Sequence, residues 1–140
     1  MAMRKAAPEG AKETGVKKGK ILIVEDDLFL VKTYQITLER EGFEVWVASD
    51  GKEALSFFEK DPADVMLLDL MLPGISGFDI LFAMKKSEKW KSVPVLILSN
   101  LGQAEDIARG KAMGATDYIV KANVRVNEVI RTIAHMLNGL

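Results

Sequence analysis

Five short apolar segments recur along the chain from residue 20 onward, and their spacing constrains the fold more than any other feature. They span residues 21–24, 43–48, 65–68, 93–98 and 118–120. The first, third and fourth are apolar at almost every position, as strands covered by helices on both faces are. The second alternates its apolar residues with Glu44 and Trp46, which is typical of an edge strand. We therefore predict five strands, with the second at an edge.

The intervals between these segments have the periodicity and the end signals of helices. Asp50 with Glu53 and Ser76 with Asp79 resemble N-terminal capping pairs. The fourth interval has an apolar face made mainly of alanine. Its residues are Ala104, Ile107, Ala108 and Ala112. Strands that alternate with helices form parallel sheets, because parallel neighbours need long crossovers. The pattern predicts an α/β fold with a doubly wound, five-stranded parallel sheet.

Residues 1–19 differ from the rest of the chain in composition and charge. Residues 1–20 hold six Lys or Arg against two Glu, a charge of +4, whereas residues 21–140 carry −5. The first 19 residues contain no apolar run, so they bury too little surface to offset the entropy of ordering their backbone. We predict a disordered N-terminal tail over residues 1–19 and one domain over residues 20–140. A lysine-rich arm that touches acidic lipid or nucleic acid is the alternative.

The composition excludes several classes of protein. The chain has no Cys and one His, which excludes disulfide scaffolds, thiolate zinc sites and cysteine nucleophiles and leaves almost no material for Ser/His triads. A transmembrane helix needs about 20 consecutive apolar residues, and no apolar stretch of the sequence is that long. The N-terminus also lacks the apolar core of a secretory signal. We therefore expect a cytoplasmic protein that does not contact a membrane.

Polar side chains follow four of the five predicted strands. In chain order they are Glu25, Asp26 and Asp27 after the first strand, Asp69 after the third, Ser99 and Asn100 after the fourth, and Lys121 after the fifth. Ligands of open parallel sheets bind beyond the carboxyl ends of the strands. These side chains are therefore expected to converge at one edge of the sheet.

Carboxylates that lie within a few ångströms of one another need a counter-charge. Oxygen ligands without His or Cys favour a hard divalent cation such as Mg²⁺, which commonly also binds a phosphoryl group. A lysine and a serine can supply a charge and a hydrogen bond to phosphoryl oxygens. A carboxylate that acts as the nucleophile forms an aspartyl phosphate. The pattern indicates Mg²⁺-dependent phosphoryl transfer.

Several motifs occur in order over residues 21–121. They are ILIVEDD at 21–27, LDLMLPGISG at 68–77, LS at 98–99 and DYIVK at 117–121. On these motifs, residues 20–140 resemble a response-regulator receiver domain of bacterial two-component signalling. The resemblance implies a flavodoxin-like (βα)5 fold with strand order 2-1-3-4-5. It also implies a signalling switch, which we expect to be a single-domain one because the chain stops right after the fifth predicted helix.

The resemblance implies a role for each residue at the strand ends. Asp69 is expected to be the phosphoryl acceptor, with Lys121 and Ser99 as further catalytic residues. The expected Mg²⁺ ligands are Glu25, Asp26, Asp69 and the backbone carbonyl of Met71. Ser99 and Tyr118 are the expected switch residues, and Asp27 is expected to cap a helix.

The reaction that the resemblance implies is transfer of a phosphoryl group from a phosphohistidine to Asp69, followed by hydrolysis of the acyl phosphate. The chain is then no enzyme towards other substrates. The expected partners are a sensor histidine kinase or phosphotransfer protein and an output protein that the sequence does not identify. We expect no direct nucleic-acid binding, and a monomer or a weak phosphorylation-dependent homodimer.

Two residues depart from the family pattern. Ala122 follows Lys121 where the family usually has proline, and a cis bond to a non-proline residue costs about 2.5–4 kcal/mol. We therefore predict a trans bond and a different loop into the last helix. Asn100 follows Ser99 where a small residue is usual, and its amide is expected to crowd the site. We predict that Asn100→Ala changes the access of small phosphodonors and the dephosphorylation rate.

The fourth helix is predicted to be weakly held. Gly110 within it costs about 1 kcal/mol relative to alanine. A weakly held helix beside Ser99 and Tyr118 is suited to a two-state switch. We therefore expect phosphorylation to shift this helix and the strand of Tyr118, and to change the surface around helix 4, strand 5 and helix 5.

Two other functions stay open at this point. A receiver-like scaffold that binds partners without being phosphorylated would suit the departures at Asn100 and Ala122. A flavin protein or a phosphatase on the same fold is the third class. A flavin site disfavours three acids after the first strand, and an aspartate-nucleophile phosphatase needs a second Asp at the position of Met71.

Three further residues receive structural interpretations. Trp46 and Trp90 are expected to be packing residues, with Trp90 at the surface end of the third helix. His135 lies one residue off the apolar stripe of the last helix and is expected at the surface.

Overall fold

The computed structural model describes residues 18–138. Its strands are β1 (Gly19–Val24), β2 (Phe43–Ala48), β3 (Val65–Leu68), β4 (Val95–Ser99) and β5 (Asp117–Val120). They form one parallel sheet in the order β2-β1-β3-β4-β5. This is the predicted order 2-1-3-4-5 of a flavodoxin-like α/β fold, so the fold class is confirmed. The predicted edge position of the second strand is confirmed as well.

In the described part of the chain, five helices and one short 3-10 helix connect and follow the strands. The helices are α1 (Leu28–Arg40), α2 (Gly51–Phe57), α3 (Gly77–Lys85), α4 (Ala104–Ala112) and α5 (Val126–Asn138), and the 3-10 helix is Lys121–Asn123. Asp27, Asp50 and Ser76 cap the first three, because each side chain accepts a hydrogen bond from an N–H of the first turn. The predicted caps are confirmed.

The sheet carries a hydrophobic core on each face. Alternate residues of a strand point to opposite faces, so Leu22 and Val24 belong to one core and Ile21 and Ile23 to the other. Helices α1 and α5 cover the second core, and α2 and α3 cover the first. With both faces covered, the carboxyl edge of the sheet is where polar side chains from several strands meet.

The ends of the sheet differ slightly from the predicted segments. β1 begins at Gly19, and the N–H of Lys18 donates to the carbonyl of Gly42 at 2.9 Å. The disordered tail predicted for residues 1–19 otherwise falls on residues 1–17, which lie outside the described residues. β4 begins at Val95 rather than residue 93, because Pro94 has no N–H to donate to a neighbouring strand.

The apolar face predicted for the fourth helix is wrong. Ala104, Ala108 and Ala112 are exposed, Ile107 is half-buried, and Gly110 is the buried residue of α4. A β-carbon at Gly110 would lie 2.8 Å from Cδ1 of Ile97. The helix therefore meets the sheet through the backbone at Gly110, which leaves the alanines on the solvent side.

The position predicted for Trp90 is also wrong. Its side chain is fully buried beyond the end of α3, and the centroids of its ring and the Phe58 ring are 5.1 Å apart. Its Nε1–H donates to the carbonyl of Lys60 at 2.9 Å, so the one polar atom of the ring is satisfied inside the core.

The interpretations of the two remaining residues are confirmed. Trp46 stacks on Phe57 at 5.7 Å between ring centroids, and His135 is exposed. Within residues 18–138, no helix is both long and apolar enough to cross a bilayer.

Candidate acidic phosphoryl-acceptor site

Glu25 lies at the carboxyl end of β1 and is buried. Its N–H donates to the carbonyl of Ala48 at 3.0 Å, and its Oε2 accepts a hydrogen bond from the N–H of Asp27 at 3.1 Å. The Asp27 side chain turns away to accept from the N–H groups of Phe29 and Leu30. The three consecutive acids thereby differ in position: Glu25 points inward, Asp26 is exposed and Asp27 caps α1.

Asp69 lies at the carboxyl end of β3 and is 5% exposed. Its N–H donates to the carbonyl of Val24, and its Oδ1 accepts from the N–H of Met71 at 3.1 Å. The loop that follows folds back tightly, because the N–H of Gly77 donates to the carbonyl of Leu70. A β-carbon at Gly77 would lie 2.5 Å from the carbonyl oxygen of Asp69, so only glycine fits there.

The first and third strands bring three carboxylates together. Glu25, Asp26 and Asp69 each offer an oxygen, and these oxygens lie within 4.8 Å of one another. The sequence predicted that these acids meet at one edge of the sheet, and the structure confirms this. Met71 lies next to this cluster: its N–H donates to Oδ1 of Asp69, and its side chain is exposed. The role of its carbonyl as a ligand stays a prediction.

Lys121 supplies the positive charge of this cluster. Its Nζ lies 2.8 Å from Oε1 of Glu25 and 3.0 Å from Oδ2 of Asp69. The bond from Lys121 to Ala122 is trans, as predicted, and the backbone turns there in the 3-10 helix. The lysine therefore reaches both acids without a cis bond after it.

The charges of the cluster depend on one another. Burial raises the pKa of the Glu25 carboxyl, while hydrogen bonds from Lys121 and from the N–H of Asp27 act in the opposite direction. Burial alone would lower the pKa of Lys121, but its hydrogen bonds to Glu25 and Asp69 and their charges outweigh burial, so its pKa is raised. Lys121 therefore remains an ammonium at neutral pH.

The donor set fits a hard divalent cation. It consists of carboxylate oxygens, which Mg²⁺ prefers, and it contains no nitrogen or sulfur ligand. Three carboxylates against the single ammonium of Lys121 leave two negative charges when all are ionised. A divalent cation matches that charge.

Comparison with known proteins identifies the family. A family model described as the response regulator receiver domain matches residues 21–134, which is most of the chain. The chain belongs to this receiver domain family. Sensory transduction protein RegX3 of Mycolicibacterium smegmatis is 43% identical over 101 residues, which is 72% of this chain and 43% of RegX3. The chain spans about two fifths of the length of the first curated relatives it matches.

Solved structures of receiver domains have the same architecture. Chemotaxis protein CheY4 of Vibrio cholerae is 32% identical with a TM-score of 0.78, over 84% of this chain and 98% of that one. The receiver domain of Francisella response regulator 1452 is 30% identical with a TM-score of 0.79, over 86% of this chain and 97% of that one. The acidic cluster of Glu25, Asp26 and Asp69 is consistent with a phosphoryl-accepting site in such a domain.

The other side of the receiver site is built on β4 and β5. Ser99 is fully buried at the end of β4, and its Oγ accepts from the N–H of Leu101 at 3.3 Å. Gln103 rather than Ser99 precedes the first turn of α4, so Ser99 is not its cap. The hydroxyl of Tyr118 donates to the carbonyl of Leu101. Both expected switch residues therefore contact the same residue of the β4–α4 loop.

Tyr34 is a residue of this receiver domain that sequence reasoning missed. It is 4% exposed, and it lines a small cavity beneath the acids together with Glu25 and Asp69. In the sequence it appears as one more member of the apolar face of α1. The only signal for another role is that a hydroxyl occurs on a face that is otherwise aliphatic.

Proposed function

We propose that the protein is a phosphorylation-dependent signalling switch in which Asp69 accepts a phosphoryl group. The donor is the phosphohistidine of a sensor histidine kinase or of a phosphotransfer protein. The observation that carries the proposal is the position of Asp69: a buried carboxylate at the end of a central strand, 3.0 Å from a lysine ammonium and beside two further carboxylates.

The transfer requires little covalent chemistry from the protein. A carboxylate oxygen of Asp69 attacks phosphorus, the new O–P bond forms, and the P–N bond to the donor imidazole breaks with its electron pair going to nitrogen. The N–H of Met71 donates to Oδ1 of Asp69, and the ammonium of Lys121 donates to Oδ2. These two hydrogen bonds orient the carboxylate before the attack. Such positioning supplies much of the catalysis of phosphoryl transfer.

Mg²⁺ is the proposed cofactor, held by Glu25, Asp26, Asp69 and the carbonyl of Met71. When bound, the cation neutralises the carboxylates and stabilises charge on the phosphoryl oxygens. Glu25 is kept in place for this role by its hydrogen bond from the N–H of Asp27. Asp26, which is exposed, forms the solvent side of the site.

Lys121 and Ser99 are the proposed partners of the phosphoryl group. Lys121 now shares its ammonium between two carboxylates, and a phosphoryl oxygen on Asp69 gives it a third acceptor. Ser99 accepts from the N–H of Leu101, which leaves its own O–H to donate. A hydrogen bond from Ser99 to the phosphoryl group draws Ser99 towards Asp69 and away from Leu101. The hydroxyl of Tyr118 donates to the carbonyl of Leu101, so Tyr118 is affected as well. The surface around α4, β5 and α5 changes as a result.

Intact mass spectrometry tests the proposal. The protein is incubated with Mg²⁺ and acetyl phosphate, or with a panel of histidine kinases, and we expect a mass gain of one phosphoryl group. Asp69→Asn should abolish the gain, and chelation of Mg²⁺ should suppress it. Asp61→Asn is a matched control, because Asp61 is exposed and lies outside the acidic cluster.

Two results contradict the proposal. A mass gain that persists in Asp69→Asn would place the phosphoryl group elsewhere. No gain with any donor would favour the alternative of a scaffold that binds partners without being phosphorylated. The exposed Asn100 beside Ser99 gives a second test, because Asn100→Ala should change the lifetime of the acyl phosphate.

A further inference from the structure

Tyr34 lies beneath the acidic site, and its hydroxyl has no hydrogen-bond partner among residues 18–138. The residue is nine-tenths buried, on the side of α1 that faces the sheet. Within residues 18–138, Glu25 receives its hydrogen bonds from Asp27 and Lys121, and Asp69 receives its own from Met71 and Lys121. None of the hydrogen bonds in this part of the chain involves the hydroxyl of Tyr34.

A cavity next to Tyr34 offers a partner. Two acids line it, Glu25 and Asp69, and its other walls are aliphatic. These walls are Ile23, Val24, Leu30, Val31, Leu67 and Leu98. The space open to the centre of a water molecule is about 10 Å³, which is close to what one water needs. Three polar groups around it are enough to hold such a water, whereas a fully apolar cavity of this size stays dry.

Electrostatics distinguish between the two acids. Burial raises the pKa of the Tyr34 hydroxyl, the charge of Lys121 lowers it and the charge of Glu25 raises it again. Tyr34 and Glu25 both line the cavity, and of its two acids Glu25 is the one whose charge acts on this pKa. A neutral tyrosine can donate a hydrogen bond to a water, and that water can donate a hydrogen bond to the carboxylate. Each of these groups then has a partner.

We propose that one buried water joins the Tyr34 hydroxyl to the Glu25 carboxylate, and that Tyr34 is through this water a positioning residue for the divalent cation site. The inference rests on the proposed function, because it assumes that Glu25 binds the cation. Groups that hydrogen-bond to metal ligands fix the orientation of those ligands, and their loss commonly weakens metal binding about 10- to 100-fold.

Calorimetric titration with MgCl₂ alone tests the inference on wild type, Tyr34→Phe and Thr37→Val. Tyr34→Phe removes the hydroxyl and keeps the ring, and we expect the dissociation constant for Mg²⁺ to rise about tenfold. Thr37→Val is the matched control, because its hydroxyl donates to the carbonyl of Thr33 on the same helix. This variant loses a hydrogen bond of α1 and should bind Mg²⁺ as wild type does.

Crystal structures of wild type and Tyr34→Phe supply the second readout. We expect an ordered water between Tyr34 and Glu25 in wild type and its loss in the variant. A dry cavity in wild type overturns the inference, as does equal Mg²⁺ affinity of wild type and Tyr34→Phe. Wild type that binds no Mg²⁺ overturns the proposed cofactor and the positioning role together, so the two failures are distinguishable.

Discussion

Helices α3 and α4 each follow a strand that ends in the acidic site, but they are held to the sheet very differently. α3 follows Asp69 and buries four large side chains. These are Phe78, Ile80, Leu81 and Met84. α4 follows Ser99, and its buried residue is Gly110. Burying a large apolar side chain contributes about 1.5–3 kcal/mol. The helix on the Asp69 side of the site is therefore anchored by hydrophobic burial that the helix on the Ser99 side lacks.

The attachments of α4 are few and specific. The helix backbone at Gly110 lies close to Ile97 and Tyr118, and the guanidinium of Arg109 lies 3.9 Å from the ring centroid of Phe78 on α3. Regions with few buried apolar contacts open at lower free energy than the rest of a protein. The contrast between the helices suits the proposed switch, in which Asp69 stays in place while Ser99 and Tyr118 rearrange.

Removing a buried side chain from α3 should have the largest effect on stability. Leu81 is fully buried, so Leu81→Ala should lower the free energy of unfolding by about 2–5 kcal/mol. Urea denaturation measures this, with Phe82→Ala as the control because Phe82 is 56% exposed. Equal effects of the two substitutions would show that α3 is not anchored through its buried face.

Adding a methyl group to α4 at Gly110 should have an intermediate effect. A β-carbon there would lie 2.8 Å from Cδ1 of Ile97 and 3.1 Å from the ring of Tyr118. Overpacking costs about 1–3 kcal/mol, and the better helix propensity of alanine offsets about 1 kcal/mol of it. We expect Gly110→Ala to lower the free energy of unfolding by about 1 kcal/mol.

A second substitution separates the two contributions at Gly110. Ile97→Val removes the crowding methyl group, so in that background Gly110→Ala should cost less than it does alone. If Gly110→Ala stabilises wild type, α4 is not held by close approach at this residue.

Truncating Arg109 should have a smaller effect. Its guanidinium stacks on Phe78, and such cation–π contacts contribute about 0.5–1 kcal/mol at accessible sites. Arg109→Ala should lower stability by about that amount and increase hydrogen exchange in α4. Lys111→Ala serves as the control, since Lys111 is exposed on the same helix. Similar results for both variants would remove Arg109 from the attachments of α4.

A polar substitution on the alanine face of α4 should have the smallest effect. Ala108 is exposed, so Ala108→Ser should change the free energy of unfolding by less than about 0.5 kcal/mol. Ala54 of α2 is fully buried, and Ala54→Ser should cost clearly more because it places a hydroxyl in the core. A loss at Ala108 as large as at Ala54 would mean that the alanine face is packed after all.

The sequence predicted the parts of the molecule that follow local rules. The parallel α/β sheet follows from apolar runs that alternate with helices, and the caps at Asp50 and Ser76 follow from short side chains that accept from nearby N–H groups. The convergence of Glu25 and Asp69 follows from the rule for strand ends.

The errors arose where long-range packing decides. Alanines at helical spacing looked like a buried face, but a close approach at Gly110 turns α4 so that they face solvent. Trp90 is buried because the chain after α3 folds back onto Phe58. The cavity beside Tyr34 is formed by three strands and α1, which lie far apart along the chain. No local pattern encodes these contacts.

Hydrogen–deuterium exchange before and after phosphorylation tests the central claim most directly. The protein is treated with Mg²⁺ and acetyl phosphate, with Asp69→Asn as the unphosphorylated control, and exchange is resolved to α3 and α4. We predict that protection changes in α4 and β5 and stays constant in α3. Identical protection of α4 in phosphorylated and unphosphorylated protein would contradict the claim.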